Sequence, residues 1–103
     1  MTALKTAVEQ WPLSASTHFA LGNASYAKGD LLQAERSYRS ALEVEPGDIA
    51  AMNNLSRLLL EQSRCDEARE LIRRAMIAPA ASPDLQNAVV ETDTAIRSRC
   101  SSD

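Results

Sequence analysis

Residues 15–46 read ASTHFALGNASYAKGDLLQAERSYRSALEVEP, and this stretch decides the fold because it recurs along the chain. When the stretch is aligned with the later sequence so that Leu21 matches Leu55, small residues match small ones and apolar residues match apolar ones at most positions. The skeleton consists of Leu21, Gly22, Ala34, Tyr38, Ala41, Leu42 and Pro46, and its images are Leu55, Ser56, Ala68, Ile72, Ala75, Met76 and Ala80. Each copy of such a repeat is one supersecondary unit that buries its apolar side against its neighbours. The step from Leu21 to Leu55, which we call the repeat period, therefore predicts a repeat architecture over nearly the whole chain.

The apolar spacing within the repeat is that of amphipathic helices. It predicts helices over 15–27, 31–44, 49–62, 65–78 and 84–98, preceded by a short helix over 2–10 that ends at Trp11-Pro12. Side chains suited to helix N-caps precede four of them, namely Ser14, Asp30, Asp48 and Ser82. Gly29 is suited to the left-handed turn of the first helix pair, whereas Ser63 takes that place in the second. We therefore expect the second turn to be the less stable one, by about 1 kcal/mol.

Length and charge exclude several classes of function. A chain of 103 residues with 45% hydrophobic residues is long enough for one domain. The net charge of -3 and the pI near 5.1 give no electrostatic reason to bind nucleic acid or anionic lipid. No apolar run approaches the roughly 20 residues that a membrane span needs, and residues 1–10 lack the pattern of a secretion signal. We expect no nucleic-acid partner and no membrane insertion.

The repeat period and its residues resemble the tetratricopeptide repeat (TPR). The best copy carries Leu21-Gly22 in one helix, Ala34-x3-Tyr38 in the next, then Ala41 and Pro46. It departs from the family pattern at His18, where Trp is usual. The resemblance implies an all-α, right-handed stack of antiparallel helix hairpins, about six helices in all. We interpret 1–103 as a single domain that comprises 1–14 (second helix of an incomplete repeat), 15–48 and 49–82 (repeats) and 83–100 (a capping helix).

The same resemblance implies a function. In this architecture the first helix of each pair lines a concave groove that binds a protein or peptide segment. The residues expected on that groove are Phe19, Asn23, Tyr26, Asn53, Arg57, Leu60, Glu61, Asn87 and Glu91. An alternative interpretation of the two aromatic residues is that Phe19 and Tyr26 only pack against the neighbouring helix.

One subclass of the family grips the C-terminal carboxylate of a peptide with two Asn and three basic residues. Asn23 and Asn54 match its two amides, but Phe19, Asp84 and Ala88 occupy the basic positions. The charge-assisted hydrogen bonds that hold a carboxylate cannot form from those side chains. The sequence therefore argues against this subclass.

Cys65 and Cys100 are separated by one residue more than the repeat period. Because the first helices of successive repeats run parallel, both cysteines are expected at the same edge of the stack. A disulfide there would indicate an oxidising compartment such as a periplasm, and two reduced thiols would indicate the cytoplasm. Both readings remain open, so the localisation stays unknown at this point.

No residue pattern indicates catalysis, a metal site or a cofactor. His18 has no ligand partner at helical spacing, and it is expected to be a packing residue.

The repeat residues and the two cysteines also resemble the TPR portion of some bacterial cysteine-peptidase-like envelope proteins, which implies a scaffold for an enzyme domain. Another alternative is a homodimer through the apolar flank of Leu4, Val8 and Trp11.

Overall fold

The computed structural model describes residues 14–79 and 82–100, and all regular structure within them is α-helical. Five helices follow one another: α1 (Ala15–Ala27), α2 (Leu31–Val44), α3 (Ile49–Glu61), α4 (Cys65–Ile77) and α5 (Pro83–Arg99). The predicted helices are confirmed, with ends that differ by one residue in α3 and α4 and by one residue at each end of α5. The helix predicted over 2–10, which would be the sixth, lies outside the described residues.

Side-chain caps fix where most of these helices begin. The backbone amides of Thr17, Gln33, Ala51 and Leu85 donate to the side chains of Ser14, Asp30, Asp48 and Ser82, at 3.2, 3.1, 3.2 and 3.2 Å. These bonds satisfy amides that have no partner inside the helix. All four predicted caps are confirmed. In contrast, α4 begins after Arg64, which makes no side-chain cap bond in the described part of the chain.

The chain divides into two compact units, 1–46 and 47–103. In the first unit α1 and α2 form an antiparallel hairpin around Ala34, Tyr38 and Ala41, all nearly or fully buried. Gly22 sets the spacing of the two helices, because a Cβ atom on it would lie 2.6 Å from the Tyr38 ring. The Tyr38 hydroxyl donates to Asn23 Oδ1 at 2.6 Å, which ties the ring to α1.

The second unit consists of the hairpin α3–α4 and the single helix α5, which packs against both. Leu55, Leu58 and Leu59 of α3 and Ile72 of α4 are buried almost completely, and α5 contributes Val89 and Ile96. The helix α5 therefore lies where a capping helix is expected, and that role stays a prediction.

The two hairpin turns use the same left-handed geometry with different residues. Gly29 has φ 83° in the first turn, and Ser63 has φ 62° in the second. The amides of Asp30 and Arg64 then donate to the carbonyls of Ser25 and Leu59, both at 2.9 Å. The second turn therefore holds a side chain in a conformation that favours glycine.

Candidate functional site

On the α1 side of the predicted groove, Phe19 packs against another aromatic ring and two residues lie at the surface. Phe19 is half-buried, and its ring contacts that of Tyr38 with centroids 5.9 Å apart and planes tilted by 47°. Asn23 and Tyr26 are exposed, although Asn23 also accepts the Tyr38 hydrogen bond. The contact of Phe19 is the one that the packing interpretation expects, whereas Tyr26 is 37% exposed.

The α3 side differs from the expectation that all four of its residues lie on an exposed face. Arg57 and Glu61 are exposed, but Asn53 is only 3% exposed and Leu60 only 5%. The physical reason is that α3 is buried around most of its circumference, since nine of its thirteen residues are buried. Asn53 Oδ1 has no hydrogen-bond partner within the described residues.

A cleft of about 280 Å³ lies between α3 and α5 and brings predicted groove residues together. We call it the α3–α5 cleft. Its lining consists of Arg57, Leu60, Glu61, Ala88, Glu91, Thr92, Ala95 and Arg99. Four of these, on two helices, are groove residues that the sequence predicted. The remaining four, all on α5, were not predicted, although Ala88, Ala95 and Arg99 lie three, four and eight positions from Glu91.

The charges in this cleft are partly uncompensated. Five arginines elsewhere are paired with carboxylates at 2.8 to 3.3 Å, namely Arg39, Arg64, Arg69, Arg73 and Arg97. Arg57 and Arg99 form no ion pair within 14–79 and 82–100. Both guanidinium groups are exposed and are thus available to a bound acidic group.

Asn87 does not join this cleft. It lines a second cleft of about 260 Å³ with Met76, Val89 and Val90, at the side where the C-terminal end of α4 meets α5. Asn87 and Glu91 are four residues apart and so lie near each other on α5, yet they line different clefts. The predicted groove residues of the second unit are therefore divided between two clefts.

Cys65 and Cys100 are joined by a disulfide with their Cα atoms 6.0 Å apart. Cys65 is the first residue of α4, and Cys100 is the C-cap of α5. The Arg69 guanidinium also donates to the carbonyl oxygen of Cys100 at 2.9 Å. The bond and this hydrogen bond together hold the end of α5, next to Arg99 of the cleft, against the start of α4.

The described residues contain no arrangement of three or more His, Cys, Asp or Glu side chains suited to a metal ion. His18 is buried, as expected for a packing residue. None of the helices in the described ranges combines the length and hydropathy that crossing a bilayer requires.

Helical hairpins built on a small residue in the first helix and an Ala-x3-apolar pattern in the second define an α-helical repeat protein. A family model described as tetratricopeptide repeat matches residues 19–84, which is more than half of the chain. The chain belongs to the tetratricopeptide repeat family.

Several curated proteins are similar to it. Protein STIP1 homolog of Dictyostelium discoideum is 45% identical over 56 residues, which cover 54% of this chain and 10% of that protein. The probable biofilm formation methyltransferase WspC of Pseudomonas putida is 40% identical over 68 residues, 66% of this chain and 16% of that protein. Protein POLLENLESS 3-LIKE 2 of Arabidopsis thaliana is 39% identical over 66 residues, 61% of this chain and 15% of that protein. The chain thus spans a small part of the relatives that it matches.

Proposed function

We propose that the chain is a non-catalytic interaction module that binds a protein segment in the α3–α5 cleft. Membership of the tetratricopeptide repeat family supports the general role, since such helical repeats present extended surfaces to other polypeptides. The observation that carries the more specific assignment is the presence of Arg57 and Arg99, both without an ion pair in the described chain, in one cleft that apolar side chains also line.

The floor and rim of the cleft indicate which segment fits. Ala88 and Ala95 are half-buried and offer apolar surface to a small or aliphatic side chain, above the nearly buried Leu60. Arg57 and Arg99 attract an acidic residue, while Glu61 and Glu91 in the same cleft disfavour a strongly acidic run. The expected ligand is an extended or helical segment with one apolar anchor beside an isolated acidic residue.

Selection from a displayed library of random peptides, with the immobilised 103-residue chain as bait, tests this proposal. We expect enriched peptides to share an acidic residue next to an aliphatic one, and Arg57→Ala to weaken them at least about tenfold. Arg74→Ala is the matched control, because Arg74 is an exposed arginine outside the cleft that also forms no ion pair among the described residues. Peptides that bind both variants equally would contradict the assignment of the cleft.

A second candidate is that the module is a scaffold attached to an enzyme domain. The similarity to 16% of a probable methyltransferase favours this candidate, and a peptidase-like domain is the form that the sequence resemblance implies. An antibody raised against the 103-residue chain distinguishes the candidates on a blot of the source cells. A band near 11.2 kDa would contradict the scaffold, and a much larger band would support it.

The remaining alternative, a homodimer through Leu4, Val8 and Trp11, involves residues outside the described ranges. Analytical ultracentrifugation at several concentrations tests it, and a monomer at every concentration would remove it.

A further inference from the structure

The helix α5 packs on the rest of the second unit with few buried side chains. Only three of its seventeen residues are buried, namely Val89, Thr92 and Ile96, whereas nine of the thirteen residues of α3 are buried. The hydroxyl group of Thr92 donates to the carbonyl oxygen of Ala88 at 3.0 Å, so this hydrogen bond lies within α5. From Thr92 to Arg99, which we call the C-terminal segment of α5, Ile96 is therefore the only buried apolar side chain.

The other attachments of the C-terminal segment lie at the residue that follows it. The disulfide joins Cys100, the C-cap of α5, to Cys65 at the start of α4. The Arg69 guanidinium of α4 donates to the carbonyl oxygen of Cys100 at 2.9 Å. Thr94 and Arg97, in contrast, form their side-chain bonds within α5. Apart from Ile96, the segment thus depends on one covalent bond and one hydrogen bond for its attachment to α4.

The disulfide is accessible from the side of α4. Cys65 is half-buried, whereas Cys100 is only 8% exposed. The rate of thiol–disulfide exchange depends on access to the sulfur that is attacked. An external thiolate therefore reaches Cys65 more readily than Cys100.

A dithiol reductant opens this disulfide in two exchange steps. Its first thiolate attacks the Cys65 sulfur, and the Cys100 thiolate leaves and takes up a proton. The second thiolate of the reductant then attacks the reductant sulfur of this mixed disulfide, and the Cys65 thiolate leaves and takes up a proton. The chain gains two electrons and two protons, and the dithiol becomes a disulfide.

We propose that Cys65 and Cys100 form a redox switch that controls the docking of the C-terminal segment of α5. In the reduced chain this segment unwinds and separates from α3 and α4, because a helical segment of about two turns is unstable in water without packing. The α3–α4 hairpin stays folded around its own buried residues, which include Leu55, Leu59 and Ile72. Reoxidation restores the docked helix.

The switch acts on the α3–α5 cleft. Five of the eight residues that line this cleft belong to α5, and one of them, Arg99, is the neighbour of Cys100 in the chain. Release of the C-terminal segment removes Thr92, Ala95 and Arg99 from the cleft and leaves Arg57 on α3. Reduction therefore weakens the binding of a peptide there. That consequence rests on the function proposed above, whereas the release of the segment does not.

NMR spectroscopy of the isotope-labelled 103-residue chain, before and after treatment with dithiothreitol, tests the switch. We expect the Cα chemical shifts of residues 92–99 to move to random-coil values on reduction, while those of α3 and α4 stay helical. Oxidised glutathione should restore the first spectrum. A reduced chain in which residues 92–99 keep helical shifts would overturn the proposal. So would a reduced chain in which α3 and α4 also lose theirs, since the disulfide would then keep the whole unit folded.

Two variants separate the disulfide from other causes. The chain with both Cys65→Ser and Cys100→Ser should give the spectrum of the reduced wild type, with or without dithiothreitol. Arg69→Ala removes the hydrogen bond to Cys100 but keeps the disulfide, so the oxidised variant should retain helical shifts at residues 92–99. Their loss in oxidised Arg69→Ala would show that the disulfide does not control docking, which contradicts the proposal.

Peptide binding gives a separate measurement. Peptides selected with the oxidised chain are expected to bind the reduced chain at least about tenfold more weakly. Unchanged affinity in a reduced chain whose residues 92–99 have unwound would contradict peptide binding in the α3–α5 cleft. The chemical shifts alone decide whether the switch exists.

Discussion

At the scale of single residues, the first hairpin requires that residue 22 have no Cβ atom. The Tyr38 ring occupies the space where a Cβ atom of residue 22 would lie, and the ring is only 2% exposed. Its hydroxyl donates a hydrogen bond to Asn23 and the ring contacts that of Phe19, so the ring has little freedom to move away. The close approach of α1 and α2 therefore requires glycine at this position.

Gly22→Ala is expected to destabilise the chain by about 1–3 kcal/mol, the range typical of an overpacked core. Urea unfolding followed by circular dichroism measures the change, and Gly47→Ala is the control because a Cβ there meets no atom within 4 Å. The cost should shrink in a Tyr38→Ile background, which replaces the ring by the smaller residue that the second repeat has at the equivalent position, Ile72. Equal costs in both backgrounds would show that the ring is not the cause.

Ser63→Gly is expected to stabilise the second hairpin by about 1 kcal/mol, because serine holds φ 62° there against its conformational preference. The reverse change in the first hairpin, Gly29→Ser, should destabilise by a similar amount, since Gly29 has φ 83°. Midpoints of urea unfolding give both values. A Ser63→Gly chain less stable than wild type would contradict this account of the turn.

At the scale of elements, α5 is held at its C-terminal end by the disulfide and along its length by packing. Val89, Thr92 and Ile96 are its buried residues, spaced at three and four positions as on one face of a helix. Cys100, which follows the helix, is bonded to Cys65 at the start of α4. The disulfide thereby closes a loop that contains all of α4 and α5.

Reduction of the disulfide is expected to lower the free energy of unfolding by about 3–4 kcal/mol, the loop-closure value for a separation of 35 residues. Urea unfolding with and without a phosphine reductant measures the loss. The chain with both Cys65→Ser and Cys100→Ser should resemble the reduced wild type and should not respond to the reductant. Unchanged stability on reduction of the wild-type chain would contradict the expectation.

At the scale of the whole molecule, the chain divides into two compact units, which differ in what stabilises them. Among the described residues, the first unit contains the α1–α2 hairpin around Tyr38, whereas the second combines three helices, a cluster of buried leucines and the disulfide. A small helical unit needs such a cross-link or a larger core to remain folded by itself.

The fragment 47–103 is therefore expected to fold alone when oxidised, with helical circular dichroism and a cooperative thermal transition. The fragment 14–46 should show little helicity, because a chain below about 40 residues without a cross-link buries too little surface. Circular dichroism of both fragments at equal concentration tests this difference. A fragment 47–103 without a cooperative transition would contradict it.

Much of the fold follows from local sequence. The repeat period and the caps at Ser14, Asp30, Asp48 and Ser82 located all five described helices to within one residue. Caps and turns depend on residues three or four positions apart, so a single sequence contains the information that places them. The cysteine spacing likewise indicated that a disulfide was possible, but it left two reduced thiols as an open alternative.

Only the tertiary structure decided which predicted groove residues share a cleft. Helical spacing gives the face of a helix on which a residue lies, but not how many neighbours cover that face. Contacts between residues distant in sequence buried Asn53 and Leu60 and separated Asn87 from Glu91. The sequence by itself thus determined the helices and the family, whereas the packing of α5 against α3 and α4 decided the shape and charge of the surfaces, because those surfaces exist only between elements.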